Sequence, residues 1–158
     1  MAPEVVVLDS ASFGGQAARR IATEIRRILR SRDRCSLALS GGETPRPVYR
    51  FLAAELPEPE SWSRLEVYFA DERCVPPDDA ASNYRMVRET LLDLLPAAPA
   101  GLHRMEGERS DRDGAARAYE ALLPGRLDLL ILGLGPDGHI ASLFPGSPSL
   151  PESLRRVL

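Results

Sequence analysis

Three short stretches carry the residue types that can do chemistry: Ser40-Gly41-Gly42-Glu43-Thr44-Pro45, Asp71-Glu72-Arg73 and Gly133-Leu134-Gly135-Pro136-Asp137-Gly138-His139. The first combines small side chains and backbone N–H groups with a helix start, which makes an anion site without a lysine. Phosphate is its natural guest. The plainer alternative is a tight turn in which Thr44 simply caps the helix. Arg73 offers a planar, permanent charge for bidentate phosphate contacts, or equally an ion pair with Asp71 or Glu72. Arg46 is a weaker candidate for the phosphate. The third stretch sets Asp137 beside His139, and an imidazole titrating near about 6.5 suits general-base work at neutral pH. Asp137 either sets the ring's tautomer or binds a substrate hydroxyl.

Other chemistries are excluded by what is missing. All 20 basic residues are arginine, so Schiff-base chemistry and a P-loop lysine are ruled out. Gly133, Gly135 and Gly138 spell a literal G-x-G-x-x-G, but that fingerprint needs a strand-helix-strand unit of about 30 residues and a later acidic residue. Pro145, Pro148 and Pro151 interrupt the 20 residues that follow. A dinucleotide site is therefore rejected here. No G-x-S-x-G elbow exposes a serine nucleophile, which leaves water activation as the simpler mechanism. The two histidines, His103 and His139, and the two widely spaced cysteines, Cys35 and Cys74, give no metal-ligand pattern.

The elements that must position these loops follow from periodicity. Val5 to Leu8 reads as a first strand, and Ala18, Ile21, Ala22, Ile25, Ile28 and Leu29 recur at helical spacing between about residues 11 and 32. Cys35 to Leu39 predicts a strand, followed by the glycine turn and a helix with Pro45 or Pro47 in its first turn. Leu56 to Glu60 reads as a polar loop and Leu65 to Ala70 as a strand running into Asp71. Ser82 and Ser110 are expected N-caps for two further helices, the first stopped by Pro96, with a short strand in Gly101 to Met105. Leu127 to Leu132 predicts a central strand buried on both faces, and Ile140 to Phe144 a short helix that starts at His139. Strands alternating with helices imply an α/β fold, a doubly wound, mostly parallel sheet with helices on both faces. In such sheets ligands bind beyond the carboxyl ends of the strands, so all three loops are expected to meet at one edge.

With 158 residues, 44% hydrophobic and 27% charged, the composition is that of one globular domain, read as a single unit over 1–158. After Pro145 the pattern stops without the helix and strand that would finish a crossover. The expectation is therefore a C-terminally incomplete domain, about two thirds of a larger one. A net charge of −3 with dispersed arginines predicts no nucleic-acid partner and no membrane surface. The acidic Met-Ala-Pro-Glu start lacks a signal-peptide pattern. Reduced thiols and a cytoplasmic protein, monomeric or a weak homodimer, are expected.

At the loop residues the sequence resembles the 6-phosphogluconolactonase family, in the superfamily shared with glucosamine-6-phosphate deaminase. The resemblance rests on Leu39 to Pro45, Phe69 to Pro76, Ser82-Asn83-Tyr84-Arg85-Met86 and Leu132 to Pro145, in family order and spacing. It implies a Rossmann-like fold of the ribose-5-phosphate isomerase and glucosamine-6-phosphate deaminase type. The implied reaction is hydrolysis of 6-phospho-D-glucono-1,5-lactone in the oxidative pentose phosphate pathway, with no metal or other cofactor. By resemblance Ser40, Gly41, Gly42, Thr44 and Arg73 hold the phosphate, and His139 deprotonates the attacking water. Asp71, Asn83 and Asp137 bind sugar hydroxyls or orient His139. Gly135 and Gly138 count among the substrate-binding positions, and one of the glycine loops is expected to stabilise the oxyanion. Deaminases continue Ala-Phe-Asn-Glu-Pro after the Asp-Gly-His, whereas Ala141-Ser142-Leu143-Phe144-Pro145 has no acid, which favours the lactonase over the deaminase. The remaining alternative is a non-catalytic remnant that binds sugar phosphates. Glu43 stands where the family usually has Ser or Thr, and is compatible with phosphate only if its side chain points away.

Overall fold

Asp9 starts the first element: its carboxylate accepts from the Ser12 N–H at 2.9 Å and the Ser12 hydroxyl at 2.8 Å, capping helix α1 (Ser10–Leu29). Ala18, Ala22, Ile25, Ile28 and Leu29 form its buried stripe, as the helical spacing predicts. Gly14 is buried in the same stripe because a Cβ there would lie 3.1 Å from Pro47 and 3.2 Å from Phe51 on helix α2 (Pro45–Glu55). The computed structural model describes residues 3–158; Met1 and Ala2, which open the acidic N-terminal stretch, lie outside the described residues.

Strand β1 (Cys35–Leu39) pairs in parallel with β2 (Leu65–Phe69) over all five residues, from Cys35 opposite Leu65 to Leu39 opposite Phe69. On its other side β1 pairs with β4 (Leu129–Leu130), and β2 carries β3 (Gly101–Leu102) at the opposite edge. The order is β3-β2-β1-β4, all parallel. Strand order thus reverses between β1 and β4, which is where a doubly wound sheet opens a ligand crevice.

Helices cover both faces. Leu37 and Leu39 point into the larger core with Ile25, Val48, Leu52 and Val87, the last from α4 (Asn83–Thr90). Ala38 and Tyr68 point the other way, onto Tyr119 of α5 (Arg112–Leu122). Two of the helices also finish the strands. The Tyr49 hydroxyl of α2 accepts from the Ser40 N–H at 3.0 Å and donates to the Ser40 carbonyl at 2.8 Å. The Tyr119 hydroxyl does the same for Phe69, at 2.7 and 3.1 Å. Burial pushes both phenols up to about 12, so each stays neutral and can donate and accept at once. Backbone groups that leave the ladder just before the polar loops are satisfied in this way.

Several expectations need correction. Val5 to Leu8 forms no strand, with Val5 85% and Val7 90% exposed; β-branched residues favour a strand only where a neighbouring edge and a covered face are available. The expected loop at Leu56 to Glu60 runs into a one-turn helix, α3 (Pro59–Trp62), because Trp62 is fully buried and its indole N–H donates to the Leu56 carbonyl at 2.7 Å. Thr90 ends α4, before a 3-10 turn at Leu92–Leu94, so Pro96 does not end it. Ser82 caps α4 as expected, but Asp111 replaces Ser110 as the cap of α5, accepting from the Gly114 N–H at 2.8 Å. Leu127 to Leu132 yields a two-residue strand at the sheet edge, with Leu130 48% exposed. An apolar run cannot by itself specify whether neighbours cover it.

Asp128 fastens β4 to β1. Its carboxylate accepts from the Ser36 N–H at 2.9 Å and the Ser36 hydroxyl at 3.0 Å, its own N–H donates to the Ser36 hydroxyl at 2.9 Å, and Arg32 pairs with it from outside. Asp128→Ala is expected to lower the unfolding free energy by about 2 kcal/mol, measured as a lower urea midpoint in the fluorescence of Trp62, the single tryptophan. An unchanged midpoint would show that the fastening carries no stability.

Candidate active site

The loops after β1, β2 and β4 leave the same edge of the parallel sheet, and Asn83 joins two of them. The residue is 3% exposed. The Asn83 Nδ2 group donates to the Asp71 carbonyl at 3.0 Å and to Asp71 Oδ1 at 3.1 Å. Gly41 lies on its other side: a Cβ at position 41 would stand 1.8 Å from Asn83 Oδ1. Glycine is required there by close approach.

Glu72, read from sequence only as a partner for Arg73, holds Asn83 from below. One carboxylate oxygen accepts from the N–H groups of Arg73 and Asn83, both at 2.7 Å, and the other from the Tyr84 N–H at 2.9 Å and the Ser82 hydroxyl at 3.2 Å. It therefore satisfies the first turn of α4, where a negative charge is also favoured by the helix dipole. No local signal marks its hold on α4, because Glu72 sits ten or more positions before the Ser82, Asn83 and Tyr84 groups that it binds. With Asp71 and Glu72 so engaged, neither forms an ion pair with Arg73, whose exposed guanidinium has no carboxylate partner among the described residues. Arg46 is paired with Glu43 at 3.0 Å, and the Glu43 side chain is 85% exposed, pointing away from the turn.

In the first loop, Ser40 is buried and its hydroxyl makes no hydrogen bond. Gly42 adopts φ +95°, a conformation that favours glycine. Thr44 takes helical angles and makes no capping bond with its side chain, so the plain-cap reading does not hold. Among the described residues the N–H groups of Gly41, Gly42, Glu43 and Thr44 have no protein acceptor. Four amides without a protein acceptor thus stand ahead of the 11-residue helix α2, the kind of donor set that can receive an anion.

The third loop is closed on itself. The Gly135 N–H donates to the His139 carbonyl at 2.8 Å and the Gly138 N–H to the Gly135 carbonyl at 3.0 Å. Both amides are thus committed to the turn, and the two glycines shape it: a Cβ at Gly135 would lie 2.1 Å from the His139 ring, and Gly138 has φ +87°. His139 Nδ1 is hydrogen-bonded to Asp137 Oδ1, and the Phe144 ring packs at 4.7 Å from the imidazole. The His139 hydrogen bond holds the Asp137 carboxyl below its ordinary value. The expected helix over Ile140 to Phe144 is instead a turn with an antiparallel bridge between Ile140 and Leu143. It contains Ala141 at φ +47°, which interrupts helical geometry. The Ser142 hydroxyl then donates to Asp71 Oδ2 at 2.6 Å. Gly41, Asn83, Asp71 and Ser142 therefore link all three loops in one contact chain.

A cavity of about 330 Å³ lies between α5 and the last residues, and a second of about 480 Å³ runs from Tyr119 and Val157 to Ala70, Glu72 and Ser142 beside the loops. Ser40, Arg73 and His139 line neither.

Gly41→Ala is expected to force Asn83 off Asp71, at a cost of about 1–3 kcal/mol for the buried amide left unpaired. The check is a thermal unfolding scan. A variant as stable as the parent would show that Asn83 does not depend on the contact.

No helix among the described residues is long and apolar enough to cross a membrane. A family model described as "Glucosamine-6-phosphate isomerases/6-phosphogluconolactonase" matches residues 8–158. A 6-phosphogluconolactonase of Treponema pallidum is 40% identical over 74% of the chain and 52% of its own length. One from Mycobacterium leprae is 36% identical over 95% of the chain and 66% of its own length. The structure of 6-phosphogluconolactonase from Trypanosoma cruzi superposes with a TM-score of 0.80 at 33% identity, covering 98% of this chain and 67% of that one. The chain thus spans about half to two thirds of the length of these curated relatives, and it belongs to the glucosamine-6-phosphate isomerase/6-phosphogluconolactonase family.

Proposed function

We propose that the chain carries the phosphate cradle and general base of a 6-phosphogluconolactonase, opening 6-phospho-D-glucono-1,5-lactone to 6-phospho-D-gluconate. The observation that carries the reading is the His139–Asp137 pair on a loop tied, through Ser142 and Asp71, to the turn bearing the four unpaired amides. An anion site and a base at one sheet edge suit a phosphorylated substrate whose other end is attacked by water.

The phosphate sits on the N–H groups of Gly41 to Thr44, with Arg73 supplying the charge and the Ser40 hydroxyl within the same turn. Asp137, an acceptor as the carboxylate, takes the His139 Nδ1 proton in its hydrogen bond, so Nε2 keeps its lone pair. His139 Nε2 removes a proton from water as the water oxygen bonds to the lactone carbonyl carbon. The tetrahedral intermediate collapses with cleavage of the ring C–O bond, and the imidazolium returns the proton to the departing ring oxygen. Asp71 and Asn83 hold the loops together beside the sugar. Gly135 and Gly138 serve by letting the histidine loop close. The partner is thus a small sugar phosphate, met in the cytoplasm by a monomer or weak homodimer, with the oxidative pentose phosphate pathway as the setting.

The test follows loss of freshly generated lactone against its spontaneous hydrolysis. His139→Ala is expected to lower kcat by about 10²- to 10⁴-fold, while Arg73→Ala raises KM about tenfold with kcat little changed. Equal rates with and without the parent protein would contradict the proposal.

A further inference from the structure

Among the described residues, the hydrogen bond from the Ser142 hydroxyl to Asp71 Oδ2, 2.6 Å long, is the one that leaves the segment 133–145 for an earlier part of the chain. Every other hydrogen bond of that segment stays local: Gly135 with His139, Gly138 with Gly135, His139 with Asp137, Leu143 with Ile140, and Phe144 with Ser147. The loop is closed by its own hydrogen bonds but is attached to the β2 end at a single polar point. Asp71, at the other end of that bond, has its second oxygen held by Asn83, which is buried against Gly41. Ala141, immediately before Ser142, adopts φ +47°. A non-glycine residue in that region is uncommon and persists only where the surroundings over-determine it. The turn it makes is the one that aims the Ser142 hydroxyl at Asp71.

The geometry points to Ser142 as a positioning residue for His139: it latches the histidine loop to Asp71 and so sets the distance from the imidazole to the phosphate turn. The inference deepens the hydrolase reading and rests on it for its effect on rate. It also gives the chain's departure from the deaminase pattern a structural consequence. The position that is Phe in the deaminase continuation is here a hydroxyl donor, and it occupies the Asp71 oxygen that Asn83 leaves free. Asp71 is then an anchor for the loop, and the reacting proton is left to His139.

The test uses Ser142→Ala, which removes the donor, and Ser142→Thr, which keeps it; position 142 is exposed, so both variants have room. His103 and His139 are the two histidines, so their imidazole proton NMR signals can be told apart by His139→Ala. His103 is held separately by Glu66 at 2.8 Å and by stacking on Tyr68, and it reports on whether the fold is intact. Ser142→Ala is expected to shift or broaden the His139 signal and leave His103 in place, with Ser142→Thr restoring the parent spectrum. In turnover, Ser142→Ala lowers kcat roughly ten- to a hundredfold with KM nearly unchanged, because a misplaced base slows the chemical step and leaves phosphate binding alone. An unchanged His139 signal in Ser142→Ala, or unchanged kcat in an active protein, overturns the inference. A parent protein without turnover, but with the His139 response present, overturns the hydrolase reading and supports the latch.

Discussion

The site depends on one buried amide. Asn83 has almost no solvent access; its side-chain NH₂ group is satisfied by Asp71, while its oxygen lies close against Gly41. The loops after β1 and β2 are thereby held at fixed separation beyond the sheet edge. An unpaired buried amide is costly, so the bridge is strongly favoured over alternatives in which either loop drifts. Glu72 supports Asn83 through the first turn of α4. Ser142 extends the same network to the histidine loop. What reaches the crevice is an arrangement of backbone amides and side chains whose spacing follows from hydrogen bonds several residues away from any ligand.

A second constraint acts one layer lower, at the strand ends. A parallel sheet releases its strands into loops with backbone groups unpaired, and such groups buried without partners would destabilise the edge. Tyr49 and Tyr119 reach in from opposite faces, each closing the N–H and C=O of one residue. The polar loops therefore begin from fixed points. Lacking lysine altogether, the chain has only backbone amides and arginines to offer an anion at this edge, and these are groups whose charge or polarity does not vary with pH in the physiological range.

Much of this was legible in the residues. The alternation of strands and helices gave the doubly wound parallel sheet, because parallel strands require crossovers, and the three strand-end loops were recognisable by their glycines and charges. The Asp137–His139 pairing was visible too, since two positions in a glycine turn can hardly avoid each other. Long-range partners were not legible. Nothing local to Glu72 indicates that it binds groups at positions 82 to 84, and nothing near Ser40 announces Tyr49. Val5 to Leu8 and Leu127 to Leu132 depart from the strands that their residues suggest for one reason: apolar, branched runs report a preference for burial, and only the assembled neighbours decide whether that burial is provided. The turn at Ala141 has no local signature, because its φ accompanies the bridge between Ile140 and Leu143 and the Ser142 contact, against the local preference of alanine.

The central claim is that three loops, joined through Asn83, act as one binding edge. The most direct measurement is a titration of the ¹⁵N-labelled protein with 6-phosphogluconate, followed through backbone amide shifts. The account predicts that Gly41, Gly42, Thr44, Arg73, Gly138 and His139 respond together, along a single saturation curve. Shifts confined to one loop, or centred on Gly107 and Ala116 at the cavity beside α5, would contradict it.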